Sequence, residues 1–450
     1  VTDFDQLTDP RREPTIVSGP GGRISGARHG RRGRDLGVRR LLAGLGIAAA
    51  VAVISATSIT AYAAYDVGRG LEEHAVGVGG GAGSIDGAFN VLAVGADNAP
   101  GQSSAAFGER QATLNDSNIL LHVSADHTQA VAVSFPRDLI TNQPACGSSP
   151  AVQNQALNTA YGRGGLGCVV KTVEQISGLK IPFAAQMSFT GVVDLSDAIG
   201  GVPVCVTSAI DDPFTGLKLA AGNHTVSGNT ALAFLRDRHG VGDGSDLSRI
   251  SSLQQFLSSL VRKVKSNGTL EDPTKLYRLA KVASKTVTLS TSLAKTDTMV
   301  GIARTFQGIG LNRITFVQYP GTTTDPEFPD KVVPIQATAD QLMHAVETDQ
   351  PFTLGADSVG RGSTSEGSGT SAGAAGTSAS GTSAGGTSAG SAGTSAGGSS
   401  SGSGTSASGS GIAGGGTAAS NASSPAKPEK ITGVTGQTAQ QRTCAVAAEG

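Results

Sequence analysis

Residues 353–428 are written almost entirely in Gly, Ser, Thr and Ala, and this tract limits what the chain can fold into more than any other feature. A stretch with almost no charge and no aromatic side chain cannot bury enough apolar surface to offset the entropy of ordering, so it is expected to be a disordered tether. It absorbs much of the unusual content of 64 glycines in 450 residues. Its "GTSAG" repeats, as at Gly381–Gly385, match the letters of a serine-hydrolase nucleophile elbow. They lack the strand before and the helix after that such an elbow needs, so they carry no chemistry. What remains is enough for one ordinary globular domain, 86–352, and a short C-terminal segment, 429–450, holding Cys444.

Residues 41–65 contain no charged side chain. As a helix they would reach roughly 37 Å, against a hydrocarbon core of about 30 Å. Arg28, Arg31, Arg32, Arg34, Arg39 and Arg40 precede the run, and Asp66 and Glu72 follow it. The positive-inside rule then makes 1–40 a basic cytoplasmic tail, 41–65 a single membrane-spanning helix, 66–85 a linker and the rest extracytoplasmic. A cleaved signal at Ala61-Tyr62-Ala63 is the competing reading, but the run is long and its leader extended. Val1 fits an alternative start codon read literally, as in a bacterial gene. The formal net charge is −1, and no nucleic-acid partner is expected.

Within the domain, "FNVLAVGAD" reads as a strand buried on both faces. "SNILLHVSAD" and "AVAVSF" follow as antiparallel neighbours turning at Asp126-His127-Thr128-Gln129. Helical patterns then alternate with the strands "PFAAQMSF", "VPVCVT" and "NRITFVQYP". The fold class is α/β, a mixed sheet covered by helices on both faces. No Cys or His spacing suits zinc. Export favours oxidation, and one disulfide is expected within the domain. Cys146 with Cys168 is preferred, closing a loop of about 20 residues worth roughly 3 kcal/mol. Cys168 with Cys205 is the runner-up.

Charged residues gather where apolar elements end: Asp97 after the first strand, Asp116 before the second, Arg137 and Asp138 after Pro136. If the first and third strands run together and the second opposes them, these ends share one edge of the sheet. Pro136 has no N–H for the ladder, so the chain leaves as a loop and Arg137 is read as an exposed loop residue. A second cluster, "FLRDRHGVGDGSDLSRI", places Arg236 and Arg238 on one face of an extended segment, Asp237 on the other, and Asp246 as a helix cap before Arg249. Guanidinium groups suit phosphate, and carboxylates with substrate phosphates suit magnesium. A pyrophosphate with its metal satisfies both sets.

These segments, with "LNTAYGRGG" and "MSFTGVVDLSDAIGGVPVCV", resemble the LytR-CpsA-Psr cell-wall glycopolymer transferases of actinobacterial type, over about residues 89–266. The resemblance implies an α-β-α sandwich on one membrane anchor. It implies a polyprenyl-pyrophosphate-linked glycan as donor, with its lipid in a hydrophobic cavity, and a peptidoglycan hydroxyl as acceptor. Magnesium, or manganese, would sit on Asp97 and Asp116. Arg137, Arg236, Arg238 and Arg249, with Asp246, would bind the pyrophosphate; Asp116 or Asp138 would take the acceptor proton. The helices at 169–176 and 189–199 are the expected lipid-cavity walls. The alternatives are a hydrolase of the same lipid and a non-catalytic anchored wall-binding protein. Three positions depart from the family pattern: Leu114, Ala156 and Leu253 stand where it has arginine, lysine and glutamine, with Arg110, Arg163 and Gln254 as nearby substitutes.

Overall fold

The computed structural model describes residues 65–79, 81, 83–97, 113–266, 272–355, 358–366 and 428–448. The expected membrane helix, apart from its last residue, lies outside them, as do the basic tail, Arg110 and most of the Gly/Ser/Thr/Ala tract. Among the described residues no helix is long and apolar enough to cross a membrane.

Eleven strands carry the description. They are β1 (Phe89–Asp97), β2 (Leu114–Val123), β3 (Ala130–Phe135), β4 (Phe183–Ser188), β5 (Val202–Val206), β6 (Gly222–Val226), β7 (Val287–Leu289), β8 (Ile314–Gln318), β9 (Ser363–Ser365), β10 (Gly436–Thr438) and β11 (Thr443–Ala445). The central sheet has seven strands in the order β7-β4-β1-β2-β3-β8-β10. β2 runs antiparallel to both β1 and β3, as the hairpin reading required, while β1 with β4 and β3 with β8 are parallel. The turn between β2 and β3 is held by Asp126, whose Oδ1 accepts from Ser124 Oγ at 2.6 Å and Thr128 N at 3.0 Å.

The reading of 66–85 as a linker is corrected at its start, where 65–73 are helical and bury Val67 and Leu71 in the core. Seven further helices are α1 (Ala160–Ser177), α2 (Phe189–Ala198), α3 (Gly228–Arg236), α4 (Asp246–Ser266), α5 (Pro273–Thr286), α6 (Thr296–Gly308) and α7 (Gln336–Glu347). α1 stops at Gly178, whose φ of 74° needs no Cβ and whose N–H closes on Glu174 O. One face of the sheet buries Leu92, Val94, Leu120 and Val133 against Val169, Val170 and Val173 of α1 and Leu342 and Val346 of α7. The other buries Phe89, Ala132 and Phe183, with Leu257 and Val261 of α4 and Met299 and Ile302 of α6 packed on them. The sequence-based class, a mixed sheet with helices on both faces, is what forms.

The reading of β1 as buried on both faces is corrected. Its burial alternates: Leu92, Val94 and Ala96 are enclosed, whereas Val91, Ala93 and Gly95 are not. The open face is made of small residues, and a cavity sits against it.

The reading of 353–428 as a disordered tether is corrected at its start, where 363–365 form β9 paired with β11, and the C-terminal segment does not hang free of the domain. β10 pairs with β8 as an edge of the central sheet, and β11 joins a second sheet in the order β6-β5-β11-β9. Gly436 is required there, because a Cβ would run into the Phe316 carbonyl. Arg262 Nη1 of α4 donates to Ala439 O at 2.7 Å and to Gln441 O at 2.9 Å. All four cysteines are bonded. Cys146–Cys168 forms as preferred, with a separation of 22 residues. Cys205 pairs with Cys444, 239 residues away, and not with Cys168. Loop-closure entropy assigns about 3 kcal/mol to the first bridge and about 5 kcal/mol to the second.

Candidate active site

A cavity of about 650 Å³ lies between the open face of β1, β2 and β4 and helices α2, α4 and α5. Its interior is apolar: Ala93, Ile119, Ala185, Val192, Leu195, Phe256, Leu260 and Leu279 are among its walls. Its charged lining consists of Asp116, Arg137, Arg236, Arg238 and Arg249, with His239 beside them.

The local structure explains how each of these groups arrives there. The pairing of β1 with β2 shifts register between Gly95 and Ala96: Gly95 faces Ser117 and Ala96 faces Asn115, leaving Asp116 as the extra residue. A bulge re-aims its side chain, so Asp116 and Ser117 both reach the cavity although they are consecutive. The β2–β3 ladder ends at Phe135, opposite Asn118, and Pro136 opens the loop. That loop is pinned on both sides: Arg137 N donates to Asp246 Oδ2 at 2.9 Å, and Arg137 O accepts from Asn158 N at 2.8 Å.

The Arg137 side chain is therefore not the exposed loop group that the sequence suggests. Its Nη1 donates to Asp116 Oδ1 at 2.9 Å, and its Nε lies 3.5 Å from Asp138 and 3.8 Å from Asp246. Burial alone would push its pKa down, but the combined field of Asp116, Asp246 and Asp138 outweighs burial and raises it. The guanidinium stays charged in every solvent the protein meets.

Asp246 does not cap α4. Ser245 does, its Oγ accepting from Ser248 N at 3.3 Å. Asp246 instead turns inward, where Oδ1 accepts from Arg249 Nε at 2.9 Å and Nη2 at 2.8 Å. Burial would raise the pKa of this enclosed carboxyl, yet Arg249, then Arg137 and Arg238, hold it below the ordinary carboxylate range. Arg249 Nη2 also reaches the Asp116 carbonyl at 2.7 Å, which ties α4 to the bulge. Arg238 lies 4.0 Å from Asp138, and the Arg236 guanidinium sits over the Phe189 ring at 4.5 Å.

The predicted residues thus fall into two groups. Asp116 and the four arginines line the cavity; Asp246 and Asp138, 3% and 6% exposed, sit behind them and hold them. Asp97 closes β1 opposite Leu114 and is buried, off the cavity lining. Of the predicted lipid walls, α2 lines the cavity, whereas 169–176 belongs to the core on the opposite face. The wall that sequence reading missed is α4, through Leu253, Phe256, Leu257, Leu260 and Val264. Leu253, one of the departures, is apolar because it faces that space. Arg163 compensates for nothing there: it is held by Gln143 Oε1 at 2.9 Å and by the Pro150 carbonyl. Gln254 is buried and off the cavity lining. The extra cation is Lys331, 3.3 Å from Asp138, in a loop with no motif to announce it.

Two guanidinium donors of the cavity-lining arginines remain unsatisfied among the described residues. Arg137 Nε and Arg238 Nε are buried and have no hydrogen-bond acceptor among the described residues. The charged end of the cavity thus carries four guanidinium groups against one lining carboxylate, a surplus of positive charge beside an apolar interior.

The chain is similar to known proteins. The LytR_cpsA_psr family model matches residues 52–357, and the chain belongs to this family. The cell wall biosynthesis protein LcpA of Corynebacterium glutamicum is 29% identical over 297 residues, which cover 57% of this chain and 55% of that protein. The probable cell wall biosynthesis protein LcpB of the same organism is 28% identical, covering 63% and 65%. The polyisoprenyl-teichoic acid–peptidoglycan teichoic acid transferase TagT of Bacillus subtilis is 28% identical, covering 48% and 67%. The matches span from about half to two thirds of these relatives' lengths. Among solved structures, B. subtilis TagV has a TM-score of 0.47 at 20% identity, covering 59% of this chain and 98% of that one. A LytR-Csp2A-Psr enzyme from Actinomyces oris has 0.45 at 21%, covering 57% and 89%.

Proposed function

We propose that this protein is a phosphotransferase that moves a glycopolymer from a polyprenyl-pyrophosphate carrier onto a peptidoglycan hydroxyl. The observation that carries the reading is the cluster of four guanidinium groups, Arg137, Arg236, Arg238 and Arg249, at the charged end of an otherwise apolar cavity. A pyrophosphate meets those guanidinium groups while its polyprenyl chain fills the space under α2 and α4. The name of TagT, a peptidoglycan teichoic acid transferase, supports the same chemistry.

In this reading the acceptor oxygen attacks the phosphorus that bears the sugar, the P–O–P bond breaks, and polyprenyl phosphate leaves with the negative charge. Arg137, Arg236, Arg238 and Arg249 stabilise the charge that grows on the leaving oxygen, the largest single contribution a site of this kind makes. Asp246 and Asp138 hold the arginines in place from behind. Asp116 is the carboxylate that lines the cavity, so any role that touches substrate falls to it rather than to Asp138.

A carboxylate oxygen such as that of Asp116 suits magnesium or manganese by chemical type. Among the described residues no group of three or more metal-ligating side chains assembles. Asp116 would therefore hold an ion only together with substrate phosphate oxygens, as a hard cation that keeps several waters prefers, whereas Asp97 is buried off the cavity lining and does not meet substrate. Bound there, the ion would neutralise phosphate charge. The two disulfides support an oxidising, extracytoplasmic setting, with the chain anchored once through 41–65 and its N-terminus in the cytoplasm.

Incubating the protein with a polyprenyl-pyrophosphate glycan and peptidoglycan should yield a phosphodiester-linked product and polyprenyl phosphate. Release of free glycan phosphate at the same rate with and without peptidoglycan would identify a hydrolase instead.

A further inference from the structure

α5 divides two unlike environments. Its inner side supplies Leu279 to the apolar cavity. Its outer side forms a groove with Tyr277, Arg278, Lys281 and Lys285, whose spacings of one, three and four residues keep them on neighbouring turns of one helix face. Tyr277 is 43% exposed and its neighbour Leu276 38%. Lys281 pairs with Asp66. Neither Arg278 nor Lys285 has an ion-pair partner among the described residues. Asp194 of α2 is the acidic residue that lines the groove.

We propose that this outer face of α5 docks on a bilayer surface of anionic phospholipid. The chemistry matches: ammonium and guanidinium groups attract phosphate headgroups, and an exposed tyrosine ring suits the headgroup boundary, with its apolar body and polar tip. The position matches as well. Asp66, held by Lys281, is the residue immediately after the uncharged run 41–65, so the groove sits where the chain leaves its expected anchor. A cavity built for a lipid chain lies one helix away, about 10 Å. Docking this face brings the cavity wall to the membrane from which that chain must come, and soluble polyanions gain nothing from such an arrangement. The inference rests on the proposed function for the lipid nature of the substrate, but its test needs no turnover.

The chain contains no tryptophan. Tyr277→Trp in the full chain, reconstituted in vesicles, is therefore a sole fluorescent reporter, and lipids brominated near the headgroup quench it only on contact. In vesicles of phosphatidylglycerol, quenching should be several-fold stronger than in phosphatidylcholine. Adding Arg278→Glu and Lys285→Glu should weaken it by roughly fivefold per residue. Equal quenching in both lipids, or no effect of the charge reversals, overturns the proposal. So does displacement of the reporter from the bilayer by soluble polyphosphate at constant ionic strength, which would assign the groove to a soluble anion. The Arg137→Ala chain should lose transfer yet keep full quenching, so failure of docking and failure of the transferase reading are told apart.

Discussion

The two ends of the cavity are built on opposite principles. At the charged end the arginines are held by named partners: Arg137 by Asp116, Arg249 by Asp246, Arg238 near Asp138 and Arg236 over Phe189. The apolar end is made by omission, with Ala93, Gly95 and Ala185 leaving the sheet face low while α2 and α4 stand off from it. Buried charges are costly unless geometry and extra hydrogen bonds compensate, so the first end is rigid and specific. The second asks only for volume and tolerates a floppy chain. A lipid-linked pyrophosphate needs both, with the reacting phosphorus fixed and the carrier merely accommodated.

The sharpest test acts at the charged end. Arg137→Ala should cost on the order of 3 kcal/mol in transition-state stabilisation, a hundredfold or more in rate. It should also lower the melting temperature, because Asp116, Asp138 and Asp246 lose the cation they surround. Arg137→Lys should restore much of the melting temperature but little of the rate, since an ammonium carries the charge without the planar fork. Activity and melting that recover together in the lysine variant would make Arg137 a structural brace and break the comparison.

A second test uses the carboxyl between two of the arginines. Asp237 is fully buried, takes a hydrogen bond from Gly240 N at 2.8 Å, and faces Asp212. Burial first, and Asp212 next to it, push its pKa up to about 7. The folded state therefore keeps a proton that the unfolded chain releases near pH 4, so this carboxyl's contribution to stability is fully present below about pH 4 and is lost as pH rises toward 7. Asp212, whose pKa is lowered, changes stability only below that window. The decline should be on the order of 3 kcal/mol, and Asp237→Asn, which is neutral throughout, should flatten it. Chemical denaturation of both proteins at pH 5 and pH 7 decides the matter; parallel slopes would mean that the pair carries no proton.

How much of this could be read from the sequence follows the same division. The charged end was legible because its residues sit at the ends of apolar runs and at a proline: Asp116, Arg137, Arg236, Arg238 and Arg249 were all found. Their supporting contacts were not. Nothing local says that Asp246 turns away from the cap position, that a bulge at Gly95 re-aims Asp116, or that Lys331 arrives from a distant loop. The apolar end was half legible, because Leu and Val pointing at a cavity look the same in sequence as Leu and Val pointing at a core. α1 was mistaken for a wall, and α4 was not picked out as one. β10 and β11 were hidden for another reason. They are three residues each, too short to show alternation, and the tract before them conceals that the chain returns to the sheets.

The apolar end has its own test, with the smallest expected effect. Ala185 of β4 faces the cavity from the same open surface as Ala93 and Met187. Ala185→Phe adds a ring into space that is already there, so the core need not shift and the melting temperature should hold or rise slightly; overpacking penalties belong to sites that are full. The ring excludes carrier atoms instead. Losing a few methylene equivalents at about 0.8 kcal/mol each should weaken binding of the full-length polyprenyl substrate by roughly 2 kcal/mol, or about thirtyfold in KM, with kcat little changed. A donor with a carrier of only one or two isoprene units should be handled as well as before. That contrast separates the ends, because a defect in the arginine cluster would slow both donors alike. If Ala185→Phe instead lowers kcat on the short donor, the cavity floor is coupled to the charged end, and the two have to be treated as one site.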